Sequence, residues 1–242
     1  MKKSDEHVEE AVLENNVNEN IALSRIAAMI VHDIKNPLNN ILLACAAMEE
    51  MQVQKDQANY LELIKRNSNR INTLMTDLSL ATNPGLRLNT HPVPIHTLLK
   101  EVLRSVKEAI HSNEIVVHYN YEVNLPHQHV DSELMSRALF NIILNAFEAV
   151  DEKKGEVEIS IKTTDGVNCV IELKDNGTGI AEADEDLIFA SGFTTKPGRH
   201  GLGLTIAKNI LRQHNGDLCL LKHTGEGTIF AIRLNDAKKT GH

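Results

Sequence analysis

His32, Asp33 and Asn36 sit together in VHDIKNPLNN, residues 31–40, inside a stretch that otherwise reads as helix. Ile30 and Ile34 lie on the apolar stripe of that helix, so His32, two residues from each, points about 200° away from it, outward. An acidic neighbour such as Asp33 can accept one imidazole N–H, fix the tautomer and leave the other ring nitrogen a better nucleophile. Asn36 falls one turn after His32, so the three side chains can share one exposed surface. Pro37 removes the donor that the Asp33 carbonyl would normally receive. In a helix interior that defect costs roughly 3 kcal/mol, and it predicts a bend or loosening there. An ordinary solvated histidine would look the same in isolation, and spacing alone leaves the two readings level.

Four further clusters carry weaker signals taken singly. Asn141 and Asn145 are one helical turn apart in LFNIILNAFEAV, with Glu133 and Arg137 upstream. Their amide oxygens can face a hydrated Mg²⁺ held between phosphates, although capping or core-edge asparagines are the plainer explanation. In KDNGTGI, Asp175 ends an expected strand and can accept a hydrogen bond from an exocyclic amine such as that of adenine. Gly177 and Gly179 behind it permit close backbone approach; an ordinary Asn-Gly turn is the alternative. SGFTTKPGRHGLGLTIAK runs a Gly-rich loop straight into a helix, whose free N–H groups and dipole suit phosphate oxygens. Thr194, Thr195 and Lys196 add hydroxyls and a cation there. Thr228, in GEGTIF, can place a hydroxyl near a phosphate or support the residues that do; a simple strand turn explains it equally well.

These residues need elements to hold them. Ile26, Ile30, Ile34, Leu38, Ile41, Cys45 and Met48 recur at steps of three and four, as do Leu61, Ile64, Ser68, Ile71, Met75 and Leu78 after the polar break QVQKDQ. The spacing predicts two amphipathic helices in an antiparallel hairpin, the first about 30 residues or about 45 Å long. A lone hairpin cannot cover both stripes, so two copies in a four-helix bundle, a homodimer, are expected. Three prolines and a Pro-Gly pair in ATNPGLRLNTHPVP mark a boundary. Beyond it, helices are expected at IHTLLKEVLRSVKEAIHSN, DSELMSRALFNIILNAFEAVDEK and GLGLTIAKNILRQHNG. Strands are expected at IVVHYNYEV, EVEISIKTT, NCVIELKDN, DLCLLKHT and GTIFAIRLN. That alternation suggests a helix layer on a mostly antiparallel sheet.

Composition narrows the function classes. A formal charge of −8 argues against nucleic acid as the main partner, because phosphate backbones select basic surfaces. With no Trp, three Tyr and five Phe, the cores must be aliphatic. Cys45, Cys169 and Cys219 lack metal-type spacing and read as buried small apolar residues of a reducing compartment. No apolar run approaches the roughly 20 residues that cross a bilayer, and MKKSDEHVEE lacks the apolar stretch of a signal peptide. A cytoplasmic protein without a membrane segment of its own is expected. Any input signal would come from an upstream sensor domain or a sensory partner protein.

Taken in order, the motifs resemble those of bacterial two-component sensor histidine kinases. HDIKNPL resembles their phosphoacceptor box, NIILNA their N box, DNGTGI their G1 box, GFTTK their F box and GLGL their G2 box. The resemblance covers nearly the whole chain after about residue 20. It implies an N-terminal extension over 1–20, a dimerisation and phosphotransfer hairpin over 21–83 and a linker over 84–94. A GHKL-type ATP-binding α/β sandwich over 95–236 and a tail over 237–242 complete the expected architecture.

The resemblance also implies roles. His32 is the phosphorylated residue, Asp33 its acid/base neighbour, and Asn36 orients water when phosphoaspartate on the partner is hydrolysed. Asn145 is the main Mg²⁺ ligand with Asn141 beside it, and Asp175 reads adenine. Gly177, Gly179, Gly201, Leu202 and Gly203 belong to loops that approach ATP, and Thr194, Thr195 and Lys196 to the lid segment. Thr228 lies in the nucleotide-binding set. The expected activity is ATP-dependent autophosphorylation on His32 and transfer to an aspartate of a response regulator receiver domain, with phosphatase activity toward that regulator. Hydrolytic GHKL relatives carry a water-activating glutamate where this chain has Asn141, which favours transfer over hydrolysis. Exposed side chains around Leu42 and Cys45 are expected to help select the regulator.

One departure stands out: the lid reads GRHGLGL, where the commoner pattern is G-x-G-L-G-L, so Arg199 and His200 intervene. Two other functions compete. An adaptor-like phosphotransferase would show eroded nucleotide boxes, and these are intact. A GHKL serine kinase of the anti-sigma type would not need the hairpin or HDIKNPL.

Overall fold

The computed structural model describes residues 30–31, 33–48, 57–82, 85, 87–110, 114–151, 153–164, 166–196, 199–224 and 227–235. His32, the expected extension and tail, Ile26, Gly198 and the loop joining the two helices lie outside them. By contact the chain forms two compact units. One holds the helices up to Thr82 together with Ser191–Leu202; the other follows Thr82 to Ala190 and resumes at Gly203.

In the first unit, residues 33–48 form α1 and Gln57–Thr82 form α2. The Nδ2 of Asn40 donates to Oδ1 of Asn67 at 3.4 Å, and Asn67 Nδ2 donates to the Leu63 carbonyl at 2.7 Å. Asn67 is buried. A buried polar pair of this kind fixes the register of two helices, because any slip leaves the amide unsatisfied. Pro37 does not break α1, which stays helical from 33 through 48. Its ring is buried, as are Ile30 and Ala44, at intervals of seven. Asn67 and Leu74 continue the pattern on α2. The face covered within one protomer is thus turned by one residue from the expected stripe, with Leu38, Cys45, Leu61 and Met75 left exposed.

The second unit is a sandwich of helices on a sheet. Its elements are β1 (His91–Val93), α3 (Ile95–Ile110), β2 (Val116–Tyr121), β3 (Gln128–Val130), α4 (Ser132–Ala149), β4 (Glu156–Thr163), β5 (Cys169–Asp175), α5 (Gly203–Gln213), β6 (Asp217–Thr224) and β7 (Gly227–Leu234). Five strands run in the order β2-β4-β5-β7-β6. Only β2 and β4 pair in parallel; the other neighbours are antiparallel. β1 and β3 form a separate antiparallel pair. Alternation drives the layering: Val157, Ile159 and Ile161 of β4 and Cys169, Ile171 and Leu173 of β5 all point into the core. They meet the apolar faces of α3, α4 and α5, which bury Leu99, Val106, Leu139, Ile142, Ile143, Ile206 and Ile210. Among the described residues no helix is long and apolar enough to cross a membrane.

One polar junction fixes the start of α4. Asp131 is its N-cap, with Oδ1 accepting from the N–H groups of Glu133 and Leu134, while Oδ2 accepts from Asn89. Its own N–H donates to Nε2 of the buried His214, whose Nδ1–H therefore donates to the Ile210 carbonyl. Burial pushes the Asp131 carboxyl upward, but the N–H groups of Asn89, Leu134 and Glu133, with His214 nearby, outweigh it and hold the group below its ordinary value. A depressed carboxyl stabilises the fold above its unfolded value and loses that contribution as pH falls through the folded one. Asp131→Ala should therefore cost about 1–2 kcal/mol in urea unfolding at pH 7. The gap should narrow below about pH 4. An unchanged midpoint at pH 7 would rule the cap out.

Candidate functional site

Asp175 closes β5 and is buried. Its Oδ1 accepts from the N–H of Gly177 at 2.9 Å and from the N–H of Thr228 at 3.2 Å. β7 pairs with β5 so that Thr228 lies directly opposite Asp175. The sequence left Thr228 open between a phosphate contact and a support. The structure places its backbone N–H on the carboxylate, and the side chain is buried. Gly227 makes that approach possible. It adopts φ +132°, and a Cβ there would stand 1.9 Å from the Asp175 carbonyl oxygen. A buried carboxylate anchored through one oxygen by two backbone donors is a fixed acceptor, and a fixed acceptor can discriminate a ligand amine.

The turn after Asp175 packs against the end of α4. The N–H of Thr178 donates to the Ala149 carbonyl, and Gly177 comes so near that a Cβ would lie 2.5 Å from the same oxygen. Asn176 clamps the turn from the other side, accepting from the Glu156 N–H and donating to the Lys154 carbonyl. Gly179 follows with φ +71°.

α4 carries Asn141 and Asn145 one turn apart. The Nδ2 of Asn141 is buried and has no hydrogen-bond partner. Gly203, at the start of α5, faces the same side chain; a Cβ on it would sit 3.7 Å from Asn141. A buried amide without a protein partner, next to a helix N-terminus, has room to bond an ordered water or a polar ligand. As an NH₂ it can donate to an anion such as phosphate; with the amide turned over, its oxygen can accept from metal-bound water. Among the described residues no three His, Cys, Asp or Glu side chains form a metal cluster. The donors present fit an ion held largely by phosphates and water with an amide oxygen, as Mg²⁺ prefers.

The lid residues lie in the first unit. Thr194 Oγ1 accepts from the Lys196 N–H at 3.1 Å, making a tight turn in which Thr194 and Thr195 are exposed. The Gly192 N–H donates to the Gly201 carbonyl and closes the base of the loop. Gly201 has φ +65°, and a Cβ would meet the Phe193 carbonyl oxygen at 2.3 Å, so no other residue fits there. Leu202 is buried.

In the same unit Asp33 is paired with a residue to which the sequence gave no role. Its Oδ2 lies 3.0 Å from Nε2 of His200, both side chains about a quarter exposed. Asn36 is exposed on α1, as are Leu42 and Cys45. Cys45 thus departs from the expectation of a buried thiol; Cys169 meets it, and Cys219 is half-buried. Burial, then the nearby Glu122, push the Cys169 thiol up to about 12, so it stays protonated and inert.

Two family models match the chain. The His Kinase A (phospho-acceptor) domain covers residues 22–84, and the histidine kinase-, DNA gyrase B- and HSP90-like ATPase covers residues 130–238. The sensor histidine kinase ZraS of Escherichia coli is 29% identical over 215 residues, which span 88% of this chain and 46% of ZraS. The sensory histidine kinase/phosphatase NtrB of Vibrio alginolyticus is 28% identical, spanning 85% of this chain and 60% of its own. The chain therefore spans about half the length of the curated relatives it matches. Among solved structures, histidine kinase ThkA in complex with response regulator protein TrrA shares the fold, with a TM-score of 0.60 at 22% identity over 90% of this chain and 63% of that one. With both family domains present, in the order that the boxes imply, the chain belongs to the sensor histidine kinases of two-component systems and carries their catalytic core.

Proposed function

We propose that the chain is an ATP-dependent protein-histidine kinase that phosphorylates itself on His32 and passes the phosphoryl group to an aspartate of a response regulator receiver domain. The observation that carries this reading is the buried Asp175 carboxylate and the orphaned Asn141 amide in a GHKL-type sandwich, on one chain with a hairpin bearing HDIKNPL. Asp175 takes the adenine amine. Gly177, Gly179, Gly201, Leu202 and Gly203 let backbone approach the nucleotide, and Thr194, Thr195 and Lys196 face its phosphates. Asn145, with Asn141, would hold Mg²⁺, which when bound offsets phosphate charge.

In the transfer, one imidazole nitrogen of His32 attacks the γ-phosphorus in line. The bond from that phosphorus to the bridging oxygen breaks, and its electron pair leaves with ADP. The proton on the other ring nitrogen passes to Asp33. Positioning and charge neutralisation supply most of the rate, since the protein makes no covalent bond of its own before the attack. Asn141, where hydrolytic relatives have a glutamate, cannot act as a base toward water, which favours transfer. Asn36, exposed one turn from His32, orients the water that hydrolyses phosphoaspartate on the regulator, giving a phosphatase activity.

A homodimer belongs to this reading. Val31, Leu38, Leu42, Leu43, Leu61 and Met75 are each 45–69% exposed in one protomer, and a four-helix bundle would cover part of that surface. Leu42 and neighbours left outside the bundle would meet the regulator. ATP use and three free cysteines support a cytoplasmic setting. Input would come through an upstream sensor domain or a sensory partner. The test is incubation with γ-labelled ATP and Mg²⁺, followed by acid and base treatment. Acid-labile, base-stable label is the expected result; acid-stable label, or none despite ATP binding, would overturn the reading.

A further inference from the structure

We propose that His200 is a latch: docked on Asp33, it keeps the phosphoacceptor helix from reacting until the lid lets go. This rests on the phosphotransfer reading, in which Asp33 must take a proton from His32. The contact is specific, Nε2 of His200 to Oδ2 of Asp33 at 3.0 Å, with both side chains about three-quarters buried. It also joins segments 167 residues apart in sequence, so local chain geometry does not account for it. While His200 Nε2 occupies Oδ2, that oxygen is not open to another imidazole, and the rotamer of the carboxylate is set by the lid. The nucleophile loses its base while the contact lasts.

The contact is also built to be released. Because Nε2 donates to Asp33, a neutral His200 leaves Nδ1 as a bare acceptor, and that atom is buried with no partner. Undocking returns it to water, so the docked state is only marginally favoured. The Gly192 N–H donates to the carbonyl of Gly201, next to His200, so His200 can dock and leave together with that base of the lid. The intervening Arg199-His200 in GRHGLGL thereby acquires a purpose: it supplies the side chain that reaches Asp33. The latch makes the lid report to the histidine directly. A lid engaged elsewhere, as in holding nucleotide phosphates, frees Asp33 when transfer is possible.

The test compares initial rates of His32 labelling at saturating ATP in the wild type, His200→Ala, Asp33→Asn and the double variant, with ATP affinity measured separately on each. His200→Ala should label roughly twofold to fivefold faster than the wild type, the range that loss of one partly exposed hydrogen bond permits. In the Asp33→Asn background, where labelling is already slow for want of the base, removing His200 should give no gain in rate and no further change in amide exchange at residues 199–203. Amide exchange at residues 199–203 should speed up in His200→Ala, which reports on docking without reference to activity. An equal or slower rate in His200→Ala, or the same gain with Asp33→Asn present, would overturn the latch while leaving the kinase intact. No label in the wild type would overturn the kinase reading itself, and the latch with it.

Discussion

Asp175→Asn should weaken ATP binding by at least about 100-fold and leave the protein folded. The substitution is nearly isosteric, and the new Oδ1 can still accept from Gly177 and Thr228, whose N–H groups hold the present carboxylate. What changes is the second atom, which becomes an NH₂. Facing an amine, it sets donor against donor in a buried place, and an unsatisfied buried polar group costs about 1–3 kcal/mol on each side. Exchanging a charged acceptor for a neutral one across two internal bonds should lower stability by only about 1–2 kcal/mol. Isothermal titration with a non-hydrolysable ATP analogue, beside thermal unfolding of the free protein, separates the two effects. Retained affinity would remove Asp175 from the site. Lost affinity with a collapsed melting temperature would assign it to the fold alone.

That separation is possible because the sandwich was the part most legible from sequence. Alternation along β4 and β5 marks the inward residues, and the Asn215-Gly216 stop signal appears as Asn215 at φ +57° with the Gly216 N–H on the Leu211 carbonyl. The short pair β1–β3 was not legible. Three residues cannot display alternation, and the partners His91 and Val130 are far apart in sequence. In the hairpin, periodicity found the helices but not the side of each that meets its own partner. A stripe wide enough to serve a bundle leaves two choices one residue apart, and the proline and asparagine that decide between them, Pro37 and Asn67, carry no apolar signal. The site shows the same division. Motif spacing singled out Asp175, Asn141 and the glycines, but the contact of Thr228 with Asp175 is made by its backbone N–H, which every residue shares. His200 was visible only as a departure from a pattern. Its partner is a long-range contact, and no local rule announces one.

In the proposed transfer His32 is the nucleophile. His32→Gln should take no label from γ-labelled ATP while binding ATP as tightly as the wild type. Glutamine keeps a polar side chain on an outward position of the helix but offers no basic nitrogen, so the attack on phosphorus is lost outright. Binding should be retained because Asp175 and Asn141, to which the adenine and metal contacts are assigned, lie on β5 and α4 and not on the hairpin. Retained label would move the phosphoacceptor elsewhere, and lost binding would mean that His32 serves the fold. The setting of Pro37 sharpens the expectation. The helix carries straight through it with the ring packed inside, so the missing N–H is a local feature and not a break. A helix that packs Pro37 on its buried side can hold the hairpin together while its exposed face serves the proposed transfer. Mixing His32→Gln with Asp175→Asn protein then tests the dimer directly. Label reappears if each protomer phosphorylates its partner and stays absent if each phosphorylates itself, since only the first arrangement unites an intact His32 with an intact nucleotide site.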